Sequence, residues 1–299
     1  MRQFQKRITI LLVLASVLAG GLIAGIAFAT ENNNELKVVV SIRPLHSIIA
    51  NIMRGADTPA LIIEHSQSPH HANLKPSQAK MIANAEIIFW IGPELETFLQ
   101  NPINAMARLA QPYKLLNIKE LQLSLLPNGA IDPHIWLSTI NAVAIAKHAV
   151  DKLIEADPES AKTYRDNLVR FKLEMSELQI ELEELLKPQK DKHFLIYHDA
   201  LRYLEHEFQF RTHAINNGNE ETTISARQII EVGKLIRSKT FQCLLVEPNI
   251  NAAAIITLAN ENKISVVELD PQGADLPVGP GLYAQMMRNL ATAIKNCPR

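Results

Sequence analysis

The chain has 299 residues, 47% hydrophobic and 20% charged, with a formal net charge of −1. That is the balance of a globular protein long enough to bury a sizeable core, with two domains as a soft prior. No Lys/Arg cluster forms a phosphate-binding face, so no nucleic-acid partner is expected. Residues 1–7 carry three positive charges, an apolar run follows from Ile8 to Phe28, and Ala27-Phe28-Ala29 precedes the polar Thr30-Glu31-Asn32. This pattern reads as a secretory signal peptide over 1–29, cut after Ala29. An uncleaved anchor is the alternative, because the run is long enough to span a bilayer. No Cys closes the run to take a lipid, and no second long apolar stretch follows, so an exported, soluble mature protein is expected.

The rest of the chain alternates strand and helix signals. An apolar, β-branched run over 37–42 predicts a strand buried on both faces, and Pro44 opens a helix to about Met53. A strand over 60–63 leads into the loop Ser68-Pro69-His70-His71, then a helix over 76–85. A strand over 86–91 stops at Gly92-Pro93, and a helix over 94–109 and a strand over 114–117 complete the first unit. Alternation of this kind implies a parallel sheet with helices on both faces. Residues 121–131 show no period and end in Pro127-Asn128-Gly129, ahead of Asp132-Pro133-His134. Ser138 is placed to cap a helix to about Ala156. From 159 to 186 apolar residues recur at helical spacing without Gly or Pro, predicting a rigid helix roughly 40 Å long.

The second half repeats the alternation, with strands over 193–197, 243–247 and 264–269 and a short one over 210–213. Helices are expected to about Phe208, from Ser225 to Arg237, over 252–262 and over 280–296, with a polar loop at 216–222. The expected organisation is an N-terminal α/β lobe over 30–157, a long connecting helix over 158–187 and a C-terminal α/β lobe over 188–299. Each lobe is a mainly parallel sheet flanked by helices. The cysteines number two, Cys243 and Cys297, and an even pair in an exported protein favours a disulfide. It would tie the last helix to a strand of the C-terminal lobe.

Four groups stand at the carboxyl ends of strands or in loops beside them: His70, His134, His198 and Asp270. In open α/β sheets that edge binds ligands. Two lobes facing a shared cleft would bring the four together. Three imidazoles and one carboxylate suit Zn²⁺, held tetrahedrally at about 2.0–2.2 Å, whereas Mn²⁺ prefers more oxygen ligands. His71 stays open as a supporting group, an alternative ligand or a solvated side chain. His46, His65, His148, His193, His206 and His213 read as surface or hydrogen-bonding histidines. Asp199, next to His198, reads as a capping or imidazole-orienting residue.

Seven stretches carry a resemblance: Val40-Ser41-Ile42-Arg43-Pro44-Leu45, His70 with Leu74-Lys75-Pro76-Ser77, Ile91-Gly92-Pro93-Glu94, the segment 132–138, Tyr197-His198-Asp199-Ala200, Glu247-Pro248 and Leu269-Asp270-Pro271. In this order they resemble the zinc/manganese receptor family, the periplasmic solute-binding proteins of ABC-type metal importers. The resemblance covers nearly the whole mature chain. It implies two α/β lobes joined by a long helix, one metal ion in the cleft, and ligands at His70, His134 and His198 with the acidic fourth position at Asp270. It further implies a periplasmic monomer that hands its cargo to a membrane permease, on which a cytoplasmic ATPase acts indirectly. His at 198, where manganese-type members carry a carboxylate, points to Zn²⁺, and the cysteine pair matches the disulfide of the zinc type.

Two departures stand out. Residues 121–131 hold no His, where many zinc-type members carry a His- and acid-rich loop. Pro69 occupies a position where some members carry Glu, which leaves the fourth ligand among Asp270, water and His71. A manganese receptor of the same fold is the alternative function. An exported zinc hydrolase is a further one, against which stand the missing His-Glu-x-x-His and Gly-x-Ser-x-Gly motifs and the lack of an obvious general base. No enzymatic activity is expected.

Overall fold

The computed structural model describes residues 36–63, 68–216, 225–238, 240–248, 250 and 252–297. The signal-peptide reading, His65 and most of the 216–222 loop lie outside the described residues. Within 36–299 the chain folds as two four-stranded parallel sheets flanked by helices.

The first sheet contains β1 (Val38–Val40), β2 (Ala60–Leu61), β3 (Ile87–Trp90) and β4 (Gln111–Lys114) in the order β2-β1-β3-β4. Its helices are α1 (Arg43–Met53), α2 (Pro76–Asn84) and α3 (Thr97–Met106). β1 and β3 are fully buried, as their unbroken apolar runs require. The strand expected at 114–117 falls instead at 111–114, pairing Phe89 with Tyr113, and 115–117 turns into a short 3₁₀ helix. β4 is an edge strand, so its outer side needs no ladder partner. An edge tolerates the exposed Gln111 and Pro112 that hide it from an apolar-run reading. The helix expected from residue 94 starts only at Thr97, because Leu95 and Glu96 donate their N–H groups to Gly92 O in a preceding turn.

Helix α4 (Thr139–Ala156) begins at Ser138, whose hydroxyl accepts from Asn141 N at 3.0 Å. Helix α5 (Ala161–Leu186) has 26 residues and is about 39 Å long. Its inner stripe, Tyr164, Phe171, Met175, Leu178 and Leu182, is buried against the first half and the last helix.

The second sheet contains β5 (His193–His198), β6 (Arg211–Asn216), β7 (Cys243–Val246) and β8 (Ser265–Glu268) in the order β6-β5-β7-β8, the same winding as the first. Helices α6 (Arg202–Phe208), α7 (Ala226–Arg237), α8 (Ala253–Glu261) and α9 (Leu282–Lys295) complete it. Alternate β5 residues face different cores. Phe194 and Ile196 join a cluster with Val40, Phe89, Phe171 and Met287, while Leu195 and Tyr197 pack with Val232, Ile236 and Ile255. The larger cluster thus runs through residues of both sheets and α5. Cys243 at the start of β7 and Cys297 beyond α9 form a disulfide, both residues buried, across a separation of 54 residues. Among the described residues no helix is long and apolar enough to cross a membrane.

Candidate metal centre

In each sheet the chain leaves neighbouring strands in opposite directions, between β1 and β3 and again between β5 and β7. That opens a crevice outside their carboxyl ends. In the first sheet the crevice is filled by a buried carboxylate. Glu96 accepts hydrogen bonds from the Ser41 hydroxyl, from Ile91 N at 3.4 Å and from Gly92 N at 3.0 Å. Burial outweighs these donors and pushes its pKa up to about 7. Gly92 there has φ +143°, and a Cβ would lie 2.6 Å from Glu94 Oε2 and 2.7 Å from Lys114 Cε. Only glycine fits.

In the second sheet the crevice holds an imidazole. His198 ends β5, is buried, and its Nδ1 lies 2.9 Å from Oε1 of Glu247, the residue after β7. His134 opens the 3₁₀ turn Ile135–Leu137, also buried, with Nδ1 2.6 Å from Asp132 Oδ1. The same oxygen accepts from His134 N at 3.0 Å. An ionised carboxylate only accepts, so each Nδ1 carries the proton and each Nε2 keeps its lone pair. His70 comes from the loop beyond β2, and its Nε2 is 3.4 Å from Nε2 of His134.

The three imidazoles form one group whose ligand atoms all lie within 4.8 Å of one another. Nitrogens bound tetrahedrally to zinc at about 2.0–2.1 Å stand about 3.3 Å apart, so the His70–His134 pair already has that spacing. The cleft beside them, of about 370 Å³, is lined also by His71, Glu94, Leu126 and Asp199.

The carboxylate of Asp270 is engaged in a turn, and the three-imidazole group forms without it. Asp270 follows β8, but its Oδ1 accepts from Gln272 N at 3.0 Å and Oδ2 from Ala274 N at 2.5 Å, which closes the turn over 270–274. Arg43 Nε donates to Gly273 O in the same turn at 3.0 Å. Burial holds the Arg43 guanidinium below its usual pKa, against the attraction of Asp270 and Asp275. Asp199 pairs with Arg202 at 2.6 Å rather than with an imidazole. The sequence reading missed Glu247 as the His198 partner, although the Glu247-Pro248 stretch was its available signal. His46 is a hydrogen-bonding histidine, as expected, buried with Nε2 2.8 Å from Pro59 O, while its buried Nδ1 makes no hydrogen bond.

The His134 segment is gripped from the other half. Trp136, fully buried, donates from Nε1 to Pro271 O at 2.9 Å, and the Tyr203 hydroxyl donates to Asp132 O at 2.7 Å. The Tyr283 hydroxyl donates to Trp136 O at 2.9 Å. These bonds fix His134 relative to His198.

Two parallel-sheet lobes bridged by one long helix, with imidazoles from both converging in the cleft, define a solute-binding protein of the metal-receptor type. The chain belongs to the ZnuA family, described as zinc-uptake complex component A, periplasmic, whose profile matches residues 38–297. It is 31% identical to the high-affinity zinc uptake system protein ZnuA of Brucella abortus strain 2308, over 94% of this chain and 97% of the relative. Its fold matches a crystal structure of ZnuA with a TM-score of 0.78 at 22% identity, covering 88% of this chain and 98% of that one. A ZnuA deletion mutant with zinc bound matches with a TM-score of 0.77, also at 22% identity, over 88% of this chain and 97% of that one.

Proposed function

We propose that this protein is an extracytoplasmic receptor that captures Zn²⁺ and delivers it to the membrane permease of an ABC importer, on which a cytoplasmic ATPase acts indirectly. The observation that carries this reading is the three-imidazole group, built from both lobes, with two of its members held by carboxylates. His70, His134 and His198 supply the zinc ligands through nitrogen. Family membership supports the same role, since the curated relatives are named high-affinity zinc uptake proteins.

Asp270 is the proposed fourth donor. It would swing from its turn hydrogen bonds toward the cleft, and water takes the position if it does not. An Asp270→Asn variant separates the two: zinc affinity falls if the carboxylate ligates and is retained if water does. Export follows from the reading of residues 1–29 as a signal peptide cut after Ala29, leaving a periplasmic mature chain. Its lobes are bounded as 30–157 and 188–299, about the 158–187 connector.

Three imidazole nitrogens in the donor set favour zinc over the harder Mn²⁺. A catalytic role would need a general base aimed at a metal-bound water, and the carboxylates nearby are engaged, Asp132 and Glu247 by imidazoles, Glu94 by Lys114 and Asp199 by Arg202. Competitive titration with Zn²⁺ against Mn²⁺ tests the reading. One tight zinc equivalent is expected. Tight manganese with weak zinc would change the cargo, and no tight metal would overturn the receptor role.

A further inference from the structure

We propose that Trp136 and Arg43 are positioning residues for the fourth zinc donor. From the first half of the chain they pin the backbone of the turn that carries Asp270, so that ligation needs only its side chain to rotate. The inference rests on the reading of Asp270 as that donor.

The residues on either side of Asp270 already stand at the site. Leu269 N donates to Val246 O at 2.8 Å, which continues the pairing of β8 with β7. Leu269 and Pro271 line a small cavity together with His198 and its partner Glu247. On the other side Pro271 O accepts from Trp136 Nε1, and the Trp136 ring centroid is 5.3 Å from that of His134. The backbone at Asp270 thus runs between two zinc ligands, while its carboxylate is held by the N–H groups of Gln272 and Ala274.

Both grips are made by buried groups. Trp136 is fully buried and is anchored at its own backbone, where Trp136 O accepts from the Tyr283 hydroxyl at 2.9 Å. The indole is therefore a fixed strut from the His134 segment to the Asp270 turn. Arg43 is 4% exposed, and its guanidinium donates from Nε to Gly273 O at 3.0 Å and from Nη2 to Leu276 O. Asp270 and Asp275 attract its charge. An apolar side chain would fill this space without the desolvation penalty of a buried cation, so packing does not account for an arginine here. Its planar fork, by contrast, suits two carbonyls three residues apart.

A turn held at Pro271, Gly273 and Leu276 has given up its freedom before zinc arrives. Removing either grip returns that freedom to the metal-free protein, and zinc must then order the turn as it binds.

A double-mutant cycle on the full mature chain tests this, with zinc affinity read by titration of Zn²⁺ against a competing chelator. Trp136→Phe keeps a ring and loses the N–H. It should weaken zinc binding roughly 3–10-fold beside Asp270 and have no further effect in Asp270→Asn. Arg43→Lys keeps the charge but cannot reach both carbonyls, and should show the same dependence on Asp270. It carries the test by itself if Trp136→Phe folds poorly, with circular dichroism melts of the metal-free proteins as the check on folding. A residue that supports only the general fold would lower affinity equally in both backgrounds. That additivity would overturn the proposal while leaving Asp270 as the donor, and so would parental affinity in both Trp136→Phe and Arg43→Lys. Parental affinity in Asp270→Asn would instead remove the reading of Asp270, and the proposal with it.

Discussion

His198 Nδ1 and Glu247 Oε1 are 2.9 Å apart, joining the end of β5 to the residue after β7. The contact exists because β5 and β7 are parallel neighbours in register, Leu195 beside Leu244 and Ile196 beside Leu245. It fixes the tautomer and aims Nε2 at the cleft, as Asp132 does for His134.

Removing that support should loosen the site without unfolding the lobes. Glu247→Ala is expected to weaken zinc binding about 10–100-fold, and Glu247→Gln to recover part of the loss because its amide oxygen still accepts from Nδ1. Calorimetric titration of the two variants checks this. Equal affinities for Ala and Gln would mean that a neutral acceptor at 247 gives His198 no support, against this account.

Zinc binding should weaken on acidification. Only neutral imidazole ligates, so protons compete with the metal for His70, His134 and His198. A dissociation constant measured from neutral to mildly acidic pH should rise steadily. A flat profile would point to ligands other than these histidines.

Glu96 makes folding stability itself pH-dependent. Its pKa in the folded state, raised by burial to about 7 from an ordinary 4.5, means that the folded protein holds a proton the unfolded chain has already released. Stability therefore falls as pH climbs through that window, by roughly 3 kcal/mol if Glu96 acted alone. Burial raises Glu205 and Glu207 as well, so they add in the same direction. Urea midpoints between pH 5 and pH 8 should slope less steeply in Glu96→Gln than in the parent. Parallel slopes would remove Glu96 from the account.

The disulfide should act on stability rather than on the cleft. Closing a loop of 54 residues restricts the unfolded chain by about 4 kcal/mol in the loop-entropy description. Cys297→Ser or a reductant should lower the melting temperature while zinc affinity in the folded protein holds. Loss of affinity at a temperature where the variant remains folded would contradict this separation.

Much of the frame was readable because its signals are local. The apolar runs at Val38–Val40, Ile87–Trp90 and Cys243–Val246 are strands, Ser138 and Ser225 cap helices, and an unbroken helical period covers Ala161–Leu186. β4 was misplaced because an edge strand needs no apolar run, and α3 starts late because Glu96 turns inward to a crevice that the sequence does not display. The histidines stood out by their places at strand ends, yet their approach depends on ties between the halves, Trp136 to Pro271 and Tyr203 to Asp132. The Glu247 partnership is equally non-local, 49 residues from His198. Asp270 shows the reverse: its strand-end position is plain in the sequence, while its oxygens are turned to Gln272 and Ala274.

The most direct test of the central claim is X-ray absorption of the zinc-loaded protein beside a His198→Ala variant. The account predicts a first shell with three imidazole nitrogens at about 2.0–2.1 Å in the parent, and one fewer in the variant together with greatly weakened binding. A shell dominated by oxygen, or one that His198→Ala leaves unchanged, would contradict the assignment of the site to His70, His134 and His198.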